Sequence, residues 1–159
     1  MVSFLQRRLI APLRAQLTQG VTPPRLALAL ALGATLGIVP VLGVTTLLSG
    51  LAAWALRLNQ PAIQVANYAA YPLQLVLFLP FFHAGAALFG APRVSFTLSQ
   101  LQAELTADAS ATVVRYAASN LRAVAAWALL APLLAVTLHL AFRALLSRLP
   151  LPAAAPGKP

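Results

Sequence analysis

Cysteine is absent from the 159 residues, and Glu104 and Asp108 are the only acids. The first absence excludes disulfide frameworks, zinc–thiolate sites and thiol nucleophiles together. Charge as a whole is scarce: 8% of residues are charged, against about 25% in a soluble domain. Apolar residues make up 60% of the chain, and its mean hydropathy is +0.84. Too few ionisable side chains remain to coat a globule of this size, which excludes an ordinary cytosolic enzyme, a disordered tail and a soluble nucleic-acid binder. The net charge of +9 comes from 11 basic residues scattered along the chain, nearly all of them Arg. That distribution suits membrane flanks that meet anionic headgroups, with no nucleic-acid partner.

Residues 1–20 carry Arg7 and Arg8 but no unbroken apolar run and no small-residue cleavage site. Leu5, Leu9, Leu13 and Leu17 recur every four residues, with Arg7, Arg8 and Arg14 off that stripe. The pattern predicts an amphipathic interfacial helix, or else a helix packed on the rest of the protein. Thr22 followed by Pro23 and Pro24 is a helix-start signal. From Leu26 to Leu56 there are 31 residues without a charge. One span needs about 20 residues, so the stretch is too long for one helix and too short for two full ones. Its centre, Gly37 to Gly43 with Pro40 between, is a breaker. Helices of about 14 residues on either side reach roughly 21 Å, short of the roughly 30 Å hydrocarbon core. A Gly/Pro-broken re-entrant hairpin fits this length better than a single kinked span. Ala29, Gly33 and Gly37 form a small-residue stripe suited to close helix packing.

The next uncharged stretch runs from Leu58 to Pro92. Asn59 is placed to cap a helix starting at Pro61 and running to about Leu79, before Pro80. Within it Gln60, Gln64, Asn67, Tyr71 and Gln74 are spaced 4, 3, 4 and 3 and share one narrow face. A polar seam in a lipid-facing helix is costly unless each amide finds a partner. Pro72 sits on the seam and deprives the Tyr68 carbonyl of its helical donor, which predicts a kink. Two readings of the seam stay open: interhelical bonding that holds a bundle together, or a polar membrane site. Residues 93–122 are the only long polar stretch and read as an amphipathic extramembrane helix with a Thr97–Gln100 capping box. Glu104 and Asp108, four apart, read as a solvated face of that helix, because two oxygens make a poor metal cage. Ala123 to Phe142 is 20 residues without a charge between Arg122 and Arg143, and residues 123–149 read as the C-terminal transmembrane helix, kinked at Pro132. Residues 150–159 read as a disordered tail.

The fold class expected is therefore an all-α integral membrane protein, multi-pass, with residues 21–92 as its embedded core. Placing Arg25 and Arg57 on the side of the N-terminal Arg residues divides Lys and Arg 8 to 3. By the positive-inside rule both termini are then cytoplasmic. Nothing in the sequence assembles a catalytic centre. His83 and His139 are isolated, Ser49 has no base nearby in sequence, and no Gly-rich loop has phosphate-binding spacing. Neither a metal nor a cofactor is expected, and the chain is not read as an enzyme.

One run of residues does carry a family likeness. Thr22, Pro23, Pro24, Arg25, Leu26 and Ala27, then Gly33, Gly37, Pro40, Gly43, Thr45 and Thr46, then Arg57, Leu58 and Asn59 resemble the bacterial domain-of-unknown-function 2062 family. So does the continuation Asn67, Tyr68, Tyr71, Pro72, Leu73 and Gln74, then Pro80, Phe81 and Gly85. The resemblance covers roughly residues 20–90. It departs from the family's commoner Asn-Pro pair, since Asn67 and Pro72 are separated by four residues, which marks a divergent branch. The resemblance implies a small bacterial inner-membrane protein. Some relatives join this domain to glycosyltransferase domains, which implies a link to envelope lipid or glycan metabolism. Two expectations follow. Either the broken hairpin and the seam line a site or path for a small solute or lipid headgroup, or the protein is a non-catalytic scaffold for a glycosyltransferase or acyltransferase. Membrane lipids are the expected partners, with an envelope enzyme and a second copy of the chain as further ones.

Overall fold

The computed structural model describes residues 22–92 and 98–148, and they form six helices and no strand. The interfacial helix expected at 1–20, the Thr97–Gln100 cap and the tail at 150–159 lie outside the described residues.

Helix α1 is Pro23–Gly37, with Thr22 extended at the N-cap position and two prolines opening the first turn. The Thr22 side chain makes no capping bond. Proline alone fixes the entry, since its ring pre-sets a helical φ and its missing N–H is an orphan at that position in any case. A bend over residues 38–44 separates α1 from α2, Thr45–Ala55. The bend turns on Pro40, flanked by a Val41 N–H to Val39 carbonyl bond of 2.7 Å, and on Gly43 at φ +86°. Helix α3, Gln60–Ala69, starts on Asn59, whose side chain accepts the Ala62 N–H at 2.8 Å. Helix α4 is Tyr71–Leu88.

The single helix expected from Pro61 to Leu79 is thus two, divided at Ala70, and the second continues past Pro80 to Leu88. Each departure has its own cause. Pro72 removes a donor near the middle of the run, and the chain answers by ending α3 and restarting, which puts Pro72 in a first turn where no donor is needed. Pro80 stays inside α4, because apolar surroundings offer its neighbours no better partners than the remaining helical bonds.

A second boundary also falls elsewhere than expected. Helix α5 is Leu98–Ala107, and helix α6 runs unbroken through Ala109–Leu146 with Pro132 inside it. The break lies at Asp108, not at Arg122. Asp108 is extended and accepts the Ala111 N–H at 2.9 Å and the Ser110 hydroxyl at 2.7 Å, which makes it the N-cap of α6.

Helix α1 is central and packs on both α3 and α6, while α4 packs on α6. Two close approaches set the α1–α3 register. A Cβ on Gly33 would overlap the Ile63 carbonyl, and one on Gly37 would lie 2.8 Å from the Asn67 carbonyl. The constant offset of 30 residues between these pairs means that α1 and α3 run parallel, with α2 returning between them. One core joins Leu26, Ala53, Leu58, Ile63 and Leu146, and a second joins Ile38, Phe81, Phe82 and Ala123.

The outer surface is apolar. Val76, Leu129 and Leu133 are about 70% exposed. Helices α4 and α6 are each long and apolar enough to cross a membrane, and few of their residues are buried in the protein. Apolar area of this extent is untenable in water and belongs in lipid or against a partner.

Candidate functional site

Irregular backbone inside an apolar protein raises an accounting question: where do its carbonyls find donors? The last carbonyls of α1 and those of the bend have lost their helical partners. Val39 N–H turns back to Leu36 at 3.2 Å, so Thr35 loses its usual acceptor role for that group. Trp127 of α6 supplies the missing donor, its indole N–H reaching the Thr35 carbonyl at 3.1 Å. Gln74 of α4 donates to the Val39 carbonyl at 2.7 Å and reaches Val41 at 3.4 Å. Asn120 of α6 donates to the Pro40 carbonyl at 3.0 Å. Three side chains from two helices therefore converge on one short stretch of backbone, with Ile38, Val39 and Pro40 buried beneath them.

The rest of the seam faces α2. Gln60 donates to the Gly50 carbonyl at 3.0 Å and Gln64 to the Thr46 carbonyl at 3.1 Å. Asn67 donates to the Gln64 side-chain oxygen at 3.4 Å. Four of the five seam residues thus turn to the hairpin or to one another, each donating to an acceptor of this chain. Tyr71 does not join them; the break at Ala70 rotates it outward and leaves it half exposed. Its neighbour Tyr68 takes a place beside α2 instead, accepting the Thr46 hydroxyl at 3.4 Å.

Gly33 and Gly37 let α3 lie close against α1, while Pro40 and Gly43 shape the bend and Pro72 opens α4. Three acceptors in the region have no donor: Ser49 Oγ, Asn67 Oδ1 and Gln74 Oε1. All three residues are at most 2% exposed. A solute therefore cannot reach them without parting the helices.

The acids stay near solvent at the end of α5, with Asp108 exposed and Glu104 half-buried, but each has a separate task. Glu104 pairs with Arg115, while Asp108 caps α6. The Ala111 N–H, and after it the Ser110 hydroxyl, holds the Asp108 carboxyl below its ordinary range. Among the described residues no three of His, Asp and Glu lie together as metal ligands. An open apolar groove of about 510 Å³ lies between α4 and α6, lined by Leu77, Phe81, Trp127 and Leu134 among others.

Reading along the chain missed Asn120 and Trp127. Asn120 stands among other polar residues and Trp127 among Ala and Leu, and the partner of each lies 80 or 92 residues away. Only for Trp127 does polarity in an otherwise apolar stretch signal such a residue.

These features define a class: a protein helical throughout its described residues, with two helices long and apolar enough to cross a membrane, built around a broken helical hairpin. Residues 3–154 match the family model described as uncharacterized protein conserved in bacteria (DUF2062). The chain belongs to that family, and the match extends well beyond the 20–90 stretch that carries the resemblance in sequence. No curated protein and no solved structure matches it.

Proposed function

We propose that the protein is a non-catalytic scaffold of the bacterial inner membrane, serving an enzyme of envelope lipid or glycan metabolism. The observation that carries this reading is the fate of the seam. The amide nitrogens of Gln60, Gln64, Asn67 and Gln74 each donate at least one bond within the chain. Amides bonded to the hairpin, with Asn67 and Gln74 buried, hold helices together, whereas a path needs donors and acceptors facing a wet lumen. The same bonding supports a re-entrant α1–α2 hairpin, since irregular backbone at membrane depth is tolerated where protein covers it. Both ends of the hairpin lie at one end of the molecule, with Leu26 and Leu58 in one core. In this topology α4 and α6 cross, and both termini are cytoplasmic.

The test compares function with stability across seam variants. In a deletion strain, Gln64→Leu and Gln74→Leu should lose complementation only as far as their thermal midpoints and membrane levels fall. A variant with unchanged midpoint and level that no longer complements would overturn the scaffold reading in favour of a polar site.

A further inference from the structure

Four arginines from three separate segments meet at one end of the molecule. Leu26, Leu58 and Leu146 are buried in a single core. Arg25 precedes the first, Arg57 precedes the second, and Arg143 and Arg148 flank the third, all four exposed. Among the described residues none of the four has an acidic partner, for Glu104 pairs with Arg115 and Asp108 caps the far end of α6. That helix has 38 residues, or about 55 Å at 1.5 Å per residue. The acids thus lie several screening lengths of roughly 8–10 Å away.

Arg57 is held in an unfavourable conformation to be there. The Leu58 N–H bonds the Ala53 carbonyl at 2.8 Å and the Arg57 N–H bonds the Trp54 carbonyl at 3.3 Å. This pair of bonds closes α2 with a left-handed residue, a position that glycine or asparagine fills at least cost. Here Arg57 fills it at φ +51°, alone among the described non-glycine residues in having a positive φ. Backbone strain at an exposed cation points to a use for its side chain. Beside it Trp54 is 77% exposed, an amphipathic ring of the kind that sits at headgroup depth.

We infer that this end binds the phosphodiester headgroup of an anionic phospholipid, with Arg57 as its central guanidinium and Arg25, Arg143 and Arg148 around it. A guanidinium fork matches two phosphate oxygens, and it stays charged at any depth in the interface. The inference rests on the membrane setting proposed above but not on the scaffold role. Loss of lipid preference in a protein still found in the membrane fraction would leave that setting intact.

The experiment uses the full chain in neutral detergent micelles, titrated with dioleoylphosphatidylglycerol or dioleoylphosphatidylcholine. Bound lipid is read by native mass spectrometry and the thermal midpoint is measured in parallel. The wild type should prefer phosphatidylglycerol by about tenfold or more, each surface Arg being worth about fivefold. Arg57→Gly should cut the preference about fivefold, while its midpoint without added lipid stays level or rises. Arg57→Asn, which also tolerates the left-handed region, should behave alike. Arg115→Gln, at the other end, should leave the preference unchanged. Equal preference in wild type and both Arg57 variants would overturn the inference, as would an equal loss in Arg115→Gln. So would millimolar inorganic phosphate reproducing the phosphatidylglycerol shift, which would assign the site to a free anion.

Discussion

Gly33→Ala and Gly50→Ala should move stability in opposite directions, although both add one methyl to a helix interior. Relief of glycine's backbone freedom favours either change by about 1 kcal/mol. At Gly50 a new Cβ meets only the Gln64 amide nitrogen, at an ordinary 3.7 Å. The gain should therefore appear nearly whole. At Gly33 the added carbon overlaps the Ile63 carbonyl and lies 2.8 Å from the Ala66 Cβ and 3.1 Å from the Ile63 carbonyl carbon. The first obstacle is backbone, which cannot swing aside as a side chain does. To restore contacts of about 3.5 Å, α1 and α3 must separate by roughly 1 Å. Overpacking of this kind costs about 1–3 kcal/mol, and the same displacement lengthens the 3.1 Å bond from Gln64 to Thr46. The net expectation is a loss of up to about 2 kcal/mol for Gly33→Ala and a gain approaching 1 kcal/mol for Gly50→Ala. Far-UV circular dichroism of the purified chain in detergent, heated through its transition, reads both. At roughly 2–4 °C per kcal/mol for a chain of this length, the two midpoints should part by several degrees. A Gly33→Ala midpoint as high as that of Gly50→Ala would refute the close α1–α3 approach.

Asn120→Ala should lower stability by about 1–3 kcal/mol, because it leaves the Pro40 carbonyl buried without a donor; Asn120→Gln should do so as well, its longer arm misplacing the amide, and denaturation in detergent measures both. Asp108 fixes a pH dependence. Its folded pKa lies below the unfolded value, so its cap stabilises the α5–α6 junction above the ordinary carboxylate range and fades as pH falls through the lowered folded pKa. Asp108→Asn should retain the cap and lose that dependence, as read by hydrogen exchange at Ala111. Single cysteines at positions 25 and 57, introduced into a chain that has none, should be labelled by a membrane-impermeant maleimide from the same side. Labelling from opposite sides would exclude the re-entrant hairpin.

Local chemistry was legible in the sequence wherever a residue acts on its immediate neighbours. Pro23 and Pro24 open α1, Asn59 caps α3, and the Gly37–Gly43 stretch breaks the helix, all within a few residues of the signal. The seam was legible as a pattern, because costly polarity on one helical face needs partners whatever the fold. Its partners were not, since Thr46, Gly50 and Val39 offer backbone carbonyls that carry no side-chain signature. The break at Ala70 escaped because a proline permits two outcomes, a kink or a restart, and packing on α1 decides between them. At Asp108 the capping signal was present, an acid ahead of Ala-Ser-Ala, but a pairing with Glu104 at helical spacing concealed it.

The long sequence separation of two bonds in the bend has a consequence for biogenesis. Pro40 receives its donor from Asn120 and Thr35 from Trp127, 80 and 92 residues later in synthesis. At about 5–20 residues per second, the ribosome needs at least about 4–16 s to add the first of these partners after Pro40 itself. During that interval the hairpin emerges with two of its polar backbone groups still unmet. It must wait in a setting that hydrates them or supplies substitutes, and only the arrival of the last helix lets the first one settle. Completion of the bend thus waits for α6, and a chain truncated before Asn120 should be a substrate for quality control rather than a smaller working version.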